Sequence, residues 1–298
     1  MSSAPPAVSV LLPVSSPRFF AAALDSARAQ RYPALEILVG DDSADDTVAG
    51  QVAACADPRI RYMRNRPALG FHGNFTALFA AAQGEYVKFL NHDDVLHEDC
   101  VRRMVAAFHT LGTRITLVTA RRQLIDAAGA VHPDTVASAP MADRDCVFNG
   151  SALVDALLVQ SVNRIGEPSA TMFRRRDIAP DDGTLFRVGT HRYTCLADLA
   201  LWLRLLAKGA MAYLATPLVS IRVHDAQLQR TPEVGARCIV ERCWLPDDAR
   251  AMGFLRESSA YDAACAHGRT LLAAARKDPQ FAAAAEQLLA ADDSASPR

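Results

Sequence analysis

The first third of the chain alternates between apolar runs and segments with helical spacing. Val8 to Val14 is an apolar run that predicts a buried strand, and apolar residues at helical spacing then predict a helix that ends before Pro33. The pattern repeats, with further strands predicted at residues 35–39, 60–63 and 85–90 and amphipathic helices between them. Repeated strand-helix units are typical of an α/β fold with a mainly parallel central sheet flanked by helices. Ligands of such sheets bind beyond the carboxyl ends of the strands.

Two pairs of adjacent acids follow predicted strands. Asp41-Asp42 comes after the second strand, and Asp93-Asp94 closes the segment Asn91 to Asp94 after the strand at 85–90. Adjacent carboxylates repel each other, so a cation or hydrogen-bond donors should lie beside them. Hard oxygen ligands favour Mg²⁺ or Mn²⁺. The alternative for each pair is local, with Asp94 capping a helix that begins near His97 and the first pair capping the helix after its turn.

The second half of the chain offers further candidates for chemistry. Asp198 begins a predicted helix with an apolar stripe, and the rigid support of a packed helix suits a catalytic carboxylate; the alternative is a helix cap. Arg222 and His224 alternate at the end of a predicted strand, so both side chains should lie on one face. They suit a diphosphate or a metal site, and the alternative is an ion-paired arginine and a histidine with ordinary hydrogen bonds.

Composition narrows the class of protein. Among 298 residues, 32 basic and 33 acidic side chains give a formal net charge of -1, which gives no electrostatic reason to expect nucleic acid as a partner. No apolar run approaches the roughly 18 to 20 residues that cross a bilayer, so we expect no transmembrane segment and a cytoplasmic protein. Seven cysteines without a CxxC pair predict free or buried thiols rather than disulfides. Cys238 and Cys243 are predicted to be core residues of a helix.

The order and spacing of several segments resemble family 2 glycosyltransferases with the GT-A fold. The resemblance covers roughly residues 7 to 230. It is carried by Val8 to Val14, Gln30-Arg31-Tyr32-Pro33, Asp41-Asp42, Gly84-Glu85-Tyr86, Asn91 to Asp94, Glu167-Pro168-Ser169, Asp198 to Arg204 and Arg222-Val223-His224.

This resemblance implies an inverting transferase that moves a sugar from a nucleotide-diphosphate sugar, with UDP favoured, to a hydroxyl of a glycan or lipid-linked acceptor. It implies a nucleotide-sugar-binding half at residues 1–125, an acceptor-binding and catalytic half at 126–230 and a helical extension at 231–298. Such an enzyme would be cytoplasmic or peripheral at the inner face of the membrane. The rival functions are a nucleotide-sugar-binding protein without transferase activity and a metal-dependent phosphohydrolase. Hydrolysis would need a second metal cluster, and we identify none in the sequence.

The resemblance also assigns roles to residues. Asp198 is the candidate base, with Ala197 where relatives often carry Glu, and Asn91 stands where many relatives carry an acid. Expected metal ligands for Mg²⁺ or Mn²⁺ are Asp93, Asp94 and His224. The expected donor-binding residues are Pro13, Val14, Asp41, Asp42, Asn65, Asn91, Asp93 and Arg222. The expected acceptor-side residues are Glu167, Pro168, Ser169 and Trp202.

The region after about residue 227 is alanine-rich, and helical spacing predicts helices near residues 237–244, 247–266 and 281–290. These helices would either cover the acceptor cleft or form the face of a homodimer, and the sequence leaves both open.

Overall fold

The structure is a computed structural model that describes residues 7–178, 185–225 and 232–278. Within these ranges the strands are β1 (Val8–Val14), β2 (Leu35–Asp41), β3 (Ile60–Arg64), β4 (Tyr86–Phe89), β5 (Val95–Leu96), β6 (Ile115–Ile125), β7 (Val131–His132), β8 (Cys146–Phe148), β9 (Thr171–Arg174), β10 (Arg187–Val188), β11 (His191–Arg192) and β12 (Ala210–Arg222). The helices are α1 (Phe20–Arg28), α2 (Thr47–Cys55), α3 (Gly70–Ala81), α4 (Cys100–Leu111), α5 (Gly150–Gln160), α6 (Ala197–Leu206), α7 (Pro232–Ala251) and α8 (Ser258–Ala275).

The chain divides into two compact units, each made of several segments. The first consists of Met1–Phe148, Arg164–Leu185 and Lys208–Val223, and the second of Asn149–Asn163, Phe186–Ala207 and His224–Arg298. The functional division at residues 125 and 230 stays a prediction.

The first unit is built on one large mixed sheet in the order β3-β2-β1-β4-β9-β6-β12-β5. Its first four strands are parallel, as the strand-helix repeat predicts, and β6 and β12 are also parallel. Strand β9 runs antiparallel to both β4 and β6 and joins the two parallel parts. Because β2 and β4 both pair in parallel with β1, the acid pairs that follow them lie at one edge of the sheet.

Burial on both faces explains why β1 is almost entirely apolar, with the buried Ser9 as its one polar side chain. Val10 and Leu12 belong to the core that β1 shares with helices α1 and α4. Helix α3 packs against β1 and β2, and the ring of its Phe75 lies 4.8 Å from that of Phe89 in β4. Helices on both faces bury a parallel sheet completely, which fixes the strand ends that carry the acids.

The second unit contains α5, α6, α7, α8 and the short β10-β11 hairpin. The break predicted between residues 244 and 247 lies further along the chain, since α7 runs to Ala251 and α8 begins at Ser258. Gly253 lies in this break with a φ of 94°, a left-handed conformation that favours glycine. The helix predicted at residues 281–290 lies outside the described residues.

The prediction of unpaired thiols is wrong for two cysteines. Cys195, which precedes α6, forms a disulfide with Cys238 of α7, and their Cα atoms lie 5.1 Å apart. Cys238 and Cys243 do lie on a helix as predicted, but both are half-buried rather than in the core.

Candidate functional site

The acid pair after β2 divides into a buried residue and a half-exposed one. Asp41 is fully buried, and its carboxylate accepts hydrogen bonds from the Ser43 N–H at 2.8 Å, the Tyr62 hydroxyl at 2.5 Å and the Arg64 guanidinium. Burial opposes the charge of Asp41, but the bonds from Ser43, Tyr62 and Arg64 outweigh it and lower its pKa. Asp41 therefore holds the turn together as a permanent anion.

Asp42 is half-buried and is oriented by the loop after β3. Its Oδ1 accepts from the Asn65 amide at 2.8 Å and from the Leu69 N–H at 3.1 Å, while its own N–H donates to the Val14 carbonyl at 2.8 Å. Val14 and Asn65, both predicted to bind the donor, thus position Asp42, and Pro13 is buried beside Val14 in β1. Of the two acids, the structure favours Asp42 as the one that meets a ligand.

Substituting the two acids separately should separate recognition from stability. We expect Asp42→Asn to weaken uridine nucleotide binding by about 1–3 kcal/mol, the range for a hydrogen bond to a charged group. Asp41→Asn should instead lower the free energy of unfolding by about 1–3 kcal/mol, since it leaves buried donors poorly paired. Isothermal titration with UDP and urea denaturation measure the two effects. If Asp42→Asn binds UDP as tightly as the unaltered protein does, this turn has only a structural role.

The pair after β4 shows the same division. Asp94 is buried, and it accepts from the Arg222 N–H at 3.0 Å, from the Asn91 amide at 3.2 Å and from the Ser169 hydroxyl. Burial, and then the charge of Asp93, raise the pKa of Asp94. The helix-cap alternative is wrong for Asp94, because β5 follows it and α4 begins only at Cys100.

Asp93 is half-buried and has the exposure that Asp94 lacks. Its carbonyl oxygen accepts from the Arg222 Nε at 2.9 Å. Asn91 is held on its other side, where its N–H donates to the Ser169 hydroxyl at 2.9 Å. The structure therefore favours Asp93 as the carboxylate that meets a cation, with Asp94 as its support.

Arg222 is buried and is surrounded by backbone carbonyl groups. Its Nη1 donates to the carbonyls of Asp126 at 2.8 Å and Ala127 at 3.2 Å, and its guanidinium lies 4.6 Å from the centre of the Phe19 ring. These contacts hold the guanidinium in place, and its Nε bond to the Asp93 carbonyl connects it to the loop that carries Asp93. A contact of Arg222 with diphosphate stays a prediction. Strand β12 ends at Arg222, so the prediction that His224 shares this strand is wrong. His224 follows the strand and is half-buried.

Lys88 is a buried residue that the sequence analysis missed. It lies in β4, is fully buried and donates through Nζ to the carbonyl of Ser169. Burial lowers its pKa to about 8, against the opposing charges of Cys100 and Asp94. A lysine within an apolar strand run was the available signal. The positive charge of Lys88 interacts with Asp94 and partly offsets the cost of burying the Asp94 carboxylate.

Lys88→Met should change how stability depends on pH. The folded pKa of about 8 is below the ordinary value of 10.5, so between these values the unfolded chain holds a proton that the folded protein releases. The free energy of unfolding of the unaltered protein should therefore rise by about 3 kcal/mol relative to that of Lys88→Met as the pH increases from about 8 to 10.5. Urea denaturation of both proteins at pH 7 to 10.5 measures the difference, and a constant difference across that range would contradict the lowered pKa of Lys88.

The acceptor-side candidates have unequal exposure. Pro168, Ser169 and Trp202 are buried, which argues against direct contact with an acceptor. Ser169 supports the Asp93 loop through its hydrogen bonds with Asn91 and Asp94. Glu167 keeps about a third of its side-chain surface exposed, and the Arg122 Nε lies 2.9 Å from its Oε2. Glu167 remains the acceptor-side candidate of this group.

Asp198 lies in the first turn of α6, whose apolar stripe is buried in the second unit. Its Oδ2 accepts from the Asn163 amide at 2.6 Å and its Oδ1 from the Leu199 N–H at 2.7 Å. The N-cap residue of α6 is Leu196, but the Asp198 carboxylate accepts from a first-turn N–H, so stabilisation of the helix start stays open as the alternative role of Asp198. The carboxylate is half-buried on a firmly packed helix, which suits a proton acceptor.

Metal binding requires donors beyond one carboxylate. Within the part of the chain that the structure describes, no group of three or more His, Cys, Asp or Glu side chains is arranged to hold an ion. Asp93 offers a hard oxygen donor, and Mg²⁺ is often held by one or two carboxylates together with substrate phosphates. The residues therefore fit an ion whose other ligands come from a diphosphate.

The mixed sheet and the acids at its strand ends define an α/β protein of the nucleotide-binding type. The family model for Glycosyl transferase family 2 matches residues 15–178, more than half of the chain. The chain therefore belongs to glycosyl transferase family 2, and it is a glycosyltransferase.

Individual relatives agree with this membership. "Uncharacterized protein MT1568" of Mycobacterium tuberculosis is 29% identical over 80% of this chain and 73% of its own length. "Succinoglycan biosynthesis protein ExoO" of Rhizobium meliloti is 36% identical over 32% of this chain and 27% of its own. S. aureus TarS 1–349, solved with UDP-GlcNAc, has a TM-score of 0.63 at 14% identity, covering 89% of this chain and 72% of TarS.

The similarity to TarS concerns the fold, and it confirms the predicted GT-A-like architecture with its helical C-terminal region. Across the described residues, no helix combines the length and the apolar character needed to cross a membrane.

Proposed function

We propose that the protein transfers a sugar from a UDP-sugar to a hydroxyl of a glycan or lipid-linked acceptor, with inversion at the anomeric carbon. The observation that carries this proposal is the division within each acid pair. Asp41 and Asp94 are buried and engaged by protein donors, whereas Asp42 and Asp93 keep partial exposure at the same sheet edge. Two oriented carboxylates at the ends of parallel strands suit a nucleotide with a base and a diphosphate.

Each residue then has a defined task. Asp42 accepts the N3–H of uracil, with Asn65 and the Leu69 N–H holding its other oxygen in place. Asp93 is the residue that would hold a divalent ion, which when bound would supply positive charge to the leaving group. Similarity to TarS, which was solved with UDP and with UDP-GlcNAc, supports a uridine donor.

Asp198 removes the proton from the acceptor hydroxyl. As the hydroxyl oxygen bonds to the anomeric carbon, the bond from that carbon to the diphosphate oxygen breaks and the nucleotide diphosphate leaves with the electron pair. Attack from the face opposite the leaving group inverts the configuration. The absence of Glu at position 197 leaves Asp198 as the single acid of this motif.

The similarity to ExoO, a succinoglycan biosynthesis protein, supports a polysaccharide as the product class. An acceptor linked to a lipid would place the reaction at the inner face of the membrane.

A donor panel tests this proposal directly. The protein is incubated with UDP-, GDP- and dTDP-sugars and Mg²⁺ or Mn²⁺, with and without glycan acceptors, and release of the nucleotide diphosphate is measured. We expect UDP to be released from a UDP-sugar, and we expect an acceptor to accelerate this release. NMR of the product should show an inverted anomeric configuration. Binding of a donor without any release would instead indicate a nucleotide-sugar-binding protein.

A further inference from the structure

One face of α7 contacts the segment that leads into α6. Four residues of α7 at spacings of three, three and four share this face, and all four contact residues 191–195: Cys238, Glu241, Trp244 and Asp248. The Trp244 ring stacks on His191 with centroids 4.6 Å apart and an interplanar angle of 7°. Asp248 Oδ2 accepts from the Tyr193 hydroxyl at 2.6 Å and lies 2.8 Å from His191 Nδ1.

Glu241 makes the contacts nearest to α6. It is fully buried, and its carboxylate accepts from three consecutive backbone N–H groups: Thr194 at 2.7 Å, Cys195 at 2.9 Å and Leu196 at 2.8 Å. Residues 194–196 lie directly before α6, and the N–H of its N-cap residue Leu196 has no partner within the helix. A single buried carboxylate that binds three consecutive N–H groups at this point fixes the direction in which the chain enters α6.

The same helix also supports the other side of Asp198. The Arg242 Nη1 donates to the Ser161 hydroxyl at 2.6 Å and to the Ser161 carbonyl at 3.1 Å. Two residues after Ser161, the Asn163 amide donates to Asp198 Oδ2 at 2.6 Å. Adjacent residues of α7 therefore hold both chain segments that determine where the Asp198 carboxylate lies.

We propose that Glu241 is a positioning residue for Asp198. It anchors residues 194–196, which end two positions before Asp198, and in this way places the Asp198 carboxylate. This inference rests on the proposed role of Asp198 as the base. Glu241 touches neither substrate, so its loss should impair the chemical step and leave the nucleotide site of the first unit unchanged.

Glu241→Gln tests the proposal because it keeps the side-chain shape and replaces one carboxylate oxygen by an NH₂ group that faces backbone donors. The matched control is Glu257→Gln, the same change at an exposed glutamate before α8. We expect Glu241→Gln to lower kcat for UDP-GlcNAc turnover by about tenfold to a hundredfold, as for a small misplacement of a catalytic group. The Kd of UDP should match that of the control. Amide hydrogen exchange at residues 194–199 should be faster than in the control.

An unchanged kcat would overturn the proposal, and so would a loss of kcat accompanied by an equal loss of UDP affinity. If Glu241→Gln does not fold, Asp248→Asn on the same face carries the test with the same readouts. Full kcat in Asp198→Asn would overturn the proposed base and this inference with it. In that case, faster amide hydrogen exchange at residues 194–199 in Glu241→Gln would show that Glu241 has only a structural role.

Discussion

Asp198→Asn is expected to lower kcat for sugar transfer by at least about a hundredfold, because a general base contributes about 10² to 10⁴ in rate. The asparagine keeps the size of the side chain and still accepts one hydrogen bond, from Asn163 or from the Leu199 N–H. It cannot take a proton from the acceptor. The donor Kd should change little, since the carboxylates proposed to bind the nucleotide and its ion, Asp42 and Asp93, belong to the other unit. Steady-state transfer and titration with the donor measure the two quantities.

The control for this prediction is Asp155→Asn, which makes the same change at another half-buried acid of the second unit. Asp155 Oδ1 accepts from the Leu255 N–H at 2.7 Å, a contact between α5 and the segment before α8. Its variant should lose some stability and keep its kcat. A near-normal kcat in Asp198→Asn would show that the base lies elsewhere, and Glu167 would be the next residue to substitute.

Periodicity was sufficient to predict the part of the first unit that runs from β1 to β4. The apolar runs that become β1 and β2 are mostly buried, and their Val, Leu and Ile residues combine burial with strand or apolar character. The helices α1 and α2 follow from apolar residues at helical spacing. Each acid pair directly follows such a run, so its position at a strand end depends only on neighbouring residues and is predictable from them.

The roles within each acid pair could not be predicted from local sequence. Asp41 is buried because Tyr62 and Arg64 of β3 reach its carboxylate, and Asp94 because Arg222 of β12 and Ser169 do so. These partners are distant in the chain, so only the folded structure shows which acid of each pair they engage.

The disulfide and the buried acid of α7 were missed for the same reason. Cys195 and Cys238 are separated by 43 residues, and no spacing rule links them. Glu241 lies in a helix of mixed composition, where a glutamate is normally exposed. Its three backbone partners become visible only once residues 194–196 lie against α7.

Asp93→Ala is expected to remove the metal-dependent part of donor binding. In the unaltered protein, chelation with EDTA should weaken UDP binding by about tenfold or more, which is about 1.4 kcal/mol. Uridine, which has no diphosphate, should bind equally well with and without EDTA. In Asp93→Ala the Kd of UDP should be weak in Mg²⁺ or Mn²⁺ and should change little when EDTA is added. Titration calorimetry in matched buffers measures all of these constants.

Asp94→Ala is the informative comparison, because it removes the neighbouring acid and should affect stability first. It leaves the Arg222 N–H and the Ser169 hydroxyl without their buried acceptor, so the free energy of unfolding should fall by about 1–3 kcal/mol. Asp93→Ala should lose less stability than Asp94→Ala, since the Asp93 carboxylate is half-buried and its removal leaves Asp94 in place as the acceptor of the Arg222 N–H and the Ser169 hydroxyl. If Asp94→Ala instead kept its stability and lost the EDTA effect, while Asp93→Ala retained it, Asp94 would be the metal ligand. Equal weakening of UDP and uridine by EDTA in the unaltered protein would argue against a shared ion altogether.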